Sequence, residues 1–181
     1  MPNFEGTSAI ETYSGVAFDP LDPEPASVRV EDVAHGLANT CRYAGQCQFY
    51  YSVATHALYV SRELEEYGPL VQLYGLFHDA SEAYITDVPR PVKRKLEEYD
   101  SMEREILAAV WERLDVPAPT DEQWTAVMDA DDMLLRYEAD TLLSEFAPSP
   151  VPDLSHELTP GRPGEARDLF LDRAERLRER V

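Results

Sequence analysis

Histidines and carboxylates at helical spacing inside otherwise apolar runs are the residues of this sequence best suited to chemistry. In YSVATHALYVS, His56 shares a face with Val53, Ala57 and Val60, so it points inward once the segment is helical. Taken alone, an inward histidine reads as a hydrogen-bonded core residue. In PLVQLYGLFHDASEAY, His78 and Asp79 follow one another where an apolar run ends. Glu82 stands at i+4 from the first and i+3 from the second. These ionisable groups converge on one turn. Burying a carboxylate there costs several kcal/mol unless a metal ion, another cation or a dense hydrogen-bond shell meets it.

VMDADDMLLRYEADTLL offers further acids. Asp131 shares a face with Val127, Met128, Leu134 and Leu135. Asp132 stands at i−4 from Arg136, as in a solvated ion pair, and Asp129 falls off the apolar stripe. His56, His78, Asp79 and Asp131 together form a mixed nitrogen and oxygen set suited to one divalent ion per subunit, whether Mn, Co, Mg, Fe, Ni or Zn, with water completing the shell.

Helices must position these groups. Pro20, Pro23 and Pro25 exclude regular helix from residues 1–26, which reads as an extended arm packed on a domain spanning 27–181. Ser27 or Asp32 can cap a short helix through Ala38. Helical periodicity then runs from about Val53 to Glu66, and again along PLVQLYGLFHDASEAY from Pro69, apolar on nearly every side from Leu70 to Phe77, the mark of a central helix that runs straight into His78 and Asp79. After a break at VPRPVKRK it resumes at Tyr99 to Leu114, Asp121 to Phe146 and Glu165 to Arg180, with a proline-rich loop from Ser149 to Gly164. No stretch alternates like a strand. The expected fold is all-α, a single-domain helical bundle.

Composition narrows the functions open to it. The chain has 181 residues, with 35 Asp and Glu against 16 Lys and Arg, a formal net charge of −19. Such a chain repels phosphate backbones, so duplex nucleic acid is excluded as a general partner. Only Lys93 and Lys95 are lysine, and the dense acidity is halophilic in character. No window approaches the ~18 apolar residues of a membrane span, and the N-terminus lacks a basic start followed by an apolar stretch, which reads as cytoplasmic. Cys41 and Cys47 form no CxxC pair and read as packing residues. His35 and His156 read as surface or packing residues and Trp111 and Trp124 as core or interface residues, while Tyr43, Phe49, Tyr50 and Tyr51 suit either the core or a base-stacking surface. Against this background Arg90, Lys93, Arg94 and Lys95 form one basic patch, fit either to draw an anion or to pair Lys93 with Glu97 and Arg94 with Glu98.

The order H...HD...D in a helical bundle resembles the HD-domain metal-dependent phosphohydrolase superfamily. HDASEAYITDVPRPVK and YSVATHALYVS resemble the matching segments of bacterial 5'-deoxynucleotidases, and TYSGVAFDPLDPEP and HGLANTCRYAGQ resemble the N-terminal part of small bacterial and phage HD hydrolases. The likeness covers roughly residues 11–146. It implies an HD-type bundle with His56, His78, Asp79 and Asp131 as metal ligands, Glu82 and Asp87 as catalytic or substrate-orienting acids, Arg42 as a nucleotide contact, and a homodimer; Lys93, from the basic patch, is expected to bind substrate beside Arg42 by neutralising phosphate charge. Read from the residues alone, Asp87 is equally a turn residue of TDVP. Tyr43 stands where the deoxynucleotidases have tryptophan.

The expected activity is nucleotide phosphohydrolysis by a metal-bound water, with a (deoxy)nucleoside 5'-monophosphate as substrate. Release of triphosphate from a deoxynucleoside triphosphate is the alternative, and a metal-stabilised nucleotide sensor without turnover is a further one.

Overall fold

A computed structural model describes residues 8–145, 150–152, 154 and 157–181. The described chain is mostly helical, with one small sheet. Strands β1 (Ile10–Glu11) and β2 (Ala17–Phe18) pair antiparallel, Ile10 opposite Phe18. Helices α1 (Val30–Asn39), α2 (Val53–Glu63), α3 (Pro69–Phe77), α4 (Glu82–Ile85), α5 (Arg90–Lys93), α6 (Tyr99–Leu114), α7 (Asp121–Leu142) and α8 (Pro163–Arg178) follow in order. Those helices agree with the all-α expectation.

Local chemistry sets most of the boundaries. Ser52 caps α2 by accepting the Thr55 amide at 3.1 Å. Thr120 and Gln123 close a reciprocal capping box at the start of α7. Gly68, at φ +85°, ends the turn after α2, and Pro69 opens α3 with a ring already set for helix. Several boundaries differ from the periodicity: the helix opened by Pro69 ends at Phe77, a turn carries His78 and Asp79 before α4, and α8 starts at Pro163 and stops at Arg178. Arg29, not Ser27 or Asp32, precedes α1, because the Asp32 carboxylate accepts from Thr12 Oγ1 at 2.8 Å, the Ser14 amide at 2.7 Å and Ser14 Oγ at 2.8 Å. Those bonds tie the hairpin to the bundle, so residues 8–26 are not simply extended. The second helix ends at Glu63 and continues only as a 3-10 turn, Glu65–Tyr67. The long helix ends at Leu142; Phe146, like His156, lies outside the described residues.

Helix α3 is the centre, as its uniform apolarity requires, packed by α2, α7 and α8. Gly75 allows α2 to lie against it: a Cβ there would sit 2.5 Å from Leu64 Cδ1 and 3.3 Å from Val60 Cγ1. On the far side Phe170, Ala174 and Leu177 of α8 are buried in the same core, so the apolar face of the last helix is spent within the chain. Arg173 of α8 fastens that packing, donating to Gln72 Oε1 at 2.6 Å and to Ser61 O at 3.1 Å. A smaller cluster joins Tyr51, Leu142 and Leu158 with Tyr43 and Phe49 against it. Tyr43, Phe49 and Tyr51 therefore pack, and the Tyr50 hydroxyl donates to Ala38 O. Trp111 is buried against Tyr74, and His35 stacks on Tyr13. Among the described residues no helix is long and apolar enough to cross a membrane.

Candidate metal centre

His56 comes from the middle of α2, His78 and Asp79 from the turn that ends α3, and Asp131 from the middle of α7. The fold brings all of them together. His56 is fully buried and His78 nearly so. His78 Nε2 lies 3.2 Å from Asp79 Oδ2, and His56 Nε2 lies 3.8 Å from the same oxygen. His56, His78 and Asp79 each offer a ligand atom within 4.8 Å of the others, so this group could hold a metal ion. Asp131 falls outside that tight trio, yet its Oδ1 is 3.0 Å from His56 Nε2 and 3.9 Å from His78 Nε2.

The imidazole orientations carry the chemistry. His78 Nδ1 lies 2.8 Å from the Gly75 carbonyl, which only accepts, so that nitrogen carries the proton. His56 Nδ1 lies 2.7 Å from Glu138 Oε1, again an acceptor. Both Nε2 atoms therefore face the centre, and neither has a hydrogen-bond partner there. A lone pair on nitrogen 3.0 Å from a carboxylate oxygen is repulsive unless a proton or a cation lies between them. A divalent ion suits this arrangement, because metal-bound histidines typically anchor their other nitrogen on a carboxylate or carbonyl.

The same geometry moves the proton affinities. Burial and the Arg42 charge press His56 down, but Glu138 and Asp131 outweigh them and hold it up at about 9. Burial opposes charge on Asp79, yet His78 and His56 hold it down at about 2. Asp131 is likewise held well below the usual carboxylate range against its burial, chiefly by His56. Glu82 goes the other way. Burial, then the charges of Asp79 and Asp87, push it well above the ordinary range, and its Oε2 is buried without a hydrogen-bond partner. Asp87, half-buried after α4, is raised for the same first reason and feels Arg42, Asp79 and His56.

Arg42 is buried, with Nη2 donating to Glu138 Oε2 at 3.0 Å and Nη1 3.8 Å from Asp79 Oδ2. It enters from a turn, Arg42–Gly45, in which Tyr43 and Ala44 take left-handed conformations at φ 54° and 51°. The Tyr43 hydroxyl donates to Leu135 O at 3.2 Å. Lys93 Nζ pairs with Glu103 at 2.5 Å and lies over the Tyr99 ring, not with Glu97 on its own segment. Asp132 accepts from Arg90 at 2.8 Å, and Arg136 Nε donates to the Asp132 carbonyl at 3.1 Å.

No family model matches the chain. The uncharacterized protein YfdR of Escherichia coli strain K12 is 34% identical over 181 residues, spanning 95% of this chain and 97% of that protein. The chain belongs to the family of that protein. The uncharacterized protein RCAP_rcc00048 of Rhodobacter capsulatus is 35% identical over 137 residues, 71% of this chain and 70% of its own length. Neither name carries an activity.

The sequence does not single out Glu138, and it shows Arg90 only as one member of the basic patch. Glu138, fully buried, holds His56, Arg42 and the Tyr51 hydroxyl, the last at 2.9 Å. Arg90 reaches Asp131 Oδ2 at 2.9 Å. A signal for Glu138 existed: it lies seven residues after Asp131, two helical turns along the same inward stripe. For Arg90 no signal separated it from its basic neighbours.

Proposed function

We propose that this chain is an HD-domain metal-dependent phosphohydrolase acting on a nucleotide, with a (deoxy)nucleoside 5'-monophosphate as the substrate class. One observation carries the proposal: two outward-anchored imidazoles and two carboxylates held low in proton affinity converge, with Glu82 beside them, its buried Oε2 without a hydrogen-bond partner. His56, His78, Asp79 and Asp131 would hold one divalent ion, of the Mn, Co, Mg, Fe, Ni or Zn class. Bound there, it would supply Lewis acidity toward water and toward a phosphoryl oxygen.

The chain's own residues do the rest. Glu82, with its raised proton affinity, takes the proton of the attacking water at its free Oε2. A purely structural ion has no use for such an acid, which sets this reading above a nucleotide sensor without turnover. Asp87 orients the sugar or assists the leaving oxygen. Arg42, kept charged by Glu138, offsets phosphate charge at the buried end.

Phosphate and triphosphate release would be measured over a panel of ribo- and deoxynucleotides, in high potassium chloride, with Mn, Co, Mg or EDTA. Metal-dependent release is expected from wild type and none from Asp79→Ala. Glu82→Gln is expected to keep its metal and lose on the order of 100-fold or more in kcat. Triphosphate as the product would move the substrate class to deoxynucleoside triphosphates, and intact nucleotide throughout would leave the sensor. Full activity in Glu82→Gln would remove Glu82 from the proton path.

A further inference from the structure

Arg90 occupies an unusual place for a half-exposed arginine. Flanked by Pro89 and Pro91, it opens the single turn α5, and its guanidinium bridges two acids at the start of the second half of α7. Nη2 donates to Asp131 Oδ2 at 2.9 Å and Nη1 to Asp132 Oδ1 at 2.8 Å. Asp131 Oδ1 is the oxygen that faces the two imidazoles. One carboxylate group therefore separates Arg90 from the centre. The remaining N–H groups of the guanidinium have no partner among the described residues, and about half of the side chain (49%) is open to solvent.

We infer that Arg90 is the specificity-determining residue for the anionic group of the substrate, clamped by Asp131 and Asp132 so that its free N–H edge meets a phosphate at the centre. This rests on the hydrolase reading above and names the residue that selects its substrate. A guanidinium held on two points presents its other donors in a fixed plane, the geometry that planar bidentate recognition of phosphate uses. The charge balance favours it. Asp132 is exposed and screened by solvent, and Asp131 is offset by the ion it would hold, so a net positive edge remains. Lys93, the basic neighbour three residues on, is committed to Glu103 and to the Tyr99 ring. Arg42 sits at the buried end with Glu138. Arg90 is the basic group placed at both the centre and the solvent.

The test separates anion recognition from mere support of Asp131. Wild type, Arg90→Gln, Arg90→Lys and Asp132→Asn would be compared for KM and kcat on a nucleoside monophosphate at saturating Mn. Inhibition by inorganic phosphate and Mn affinity by competition with a chromogenic chelator would accompany them. In Arg90→Gln, KM and the phosphate inhibition constant are expected to rise together by about 10- to 100-fold. Mn affinity should stay level or tighten, since a cation beside a ligand has been removed. Arg90→Lys keeps the charge and loses the fork, so its KM should fall between the two. Asp132→Asn should raise KM by a smaller factor through a less fixed Arg90. Weakened Mn binding with an unchanged KM at saturating Mn would overturn the inference and leave Arg90 as a support for Asp131. A wild type inactive on every nucleotide would overturn the hydrolase reading and this inference with it.

Discussion

Glu138 fixes three groups with two oxygens: the His56 imidazole and Tyr51 hydroxyl on Oε1, the Arg42 guanidinium on Oε2. Its carboxyl is ionised despite complete burial, because His56 and Arg42 outweigh the cost of burial. Glu138→Gln keeps the volume and removes the charge, leaving Arg42 buried without its counter-ion. Divalent-metal affinity, measured by chelator competition, should fall about 10- to 100-fold as His56 loses its anchor. Unfolding should become easier by about 3–5 kcal/mol, read from urea titration. A variant with wild-type metal affinity would mean that His56 needs no anchor. The reach of sequence reasoning is visible at this same residue. The inward stripe of α7 shows Asp131 and Glu138 alike, but the partners of Glu138 lie 82 to 96 residues away, and nothing local pairs an acid with groups so distant. His78, Asp79 and Glu82 were legible because adjacency and one turn of helix suffice to bring them together.

At the scale of elements, what positions Glu82 is the contact of α1 with α4. Gly36 makes that contact possible: a Cβ there would come within 2.8 Å of Ala83 O and 2.9 Å of Ala83 Cα, backbone atoms that cannot swing aside. Gly36→Ala should destabilise the fold by about 1–3 kcal/mol and push α4 outward; under the proposed hydrolase reading it should also lower kcat, because Glu82 is the first residue of α4. Gly164→Ala is the control, since nothing lies within 4 Å of an added Cβ there; its stability should stay level or rise by under ~1 kcal/mol. Equal effects in the two variants would refute the steric account. The long helices were readable from their caps and prolines, each a signal contained in a few neighbouring residues. The one-turn helices α4 and α5 and the two-residue strands were not. They are too short for any period to show, and the hairpin is set by Asp32, 18 to 20 residues beyond the groups it binds.

For the whole molecule the governing quantity is a formal charge of −19 spread over a domain whose core closes on one central helix. Among the described residues the buried acids are Asp32, Glu82, Asp131 and Glu138, and the other described acids face or approach solvent, where like charges repel. The screening length is about 10 Å at 0.1 M salt and about 3 Å at 1 M, so molar salt removes repulsion between surface acids while leaving the buried centre nearly untouched. Melting temperature should therefore climb steeply as potassium chloride rises from about 0.05 M to about 1 M and level off beyond. Tetramethylammonium chloride at matched ionic strength should reproduce most of the gain, because screening depends on charge and not on the identity of the cation. Sucrose at matched osmolality should give much less. A melting temperature flat across the chloride series would show that the acidic surface does not limit stability. A rise equalled by sucrose would assign the effect to exclusion of solute from the surface in place of charge.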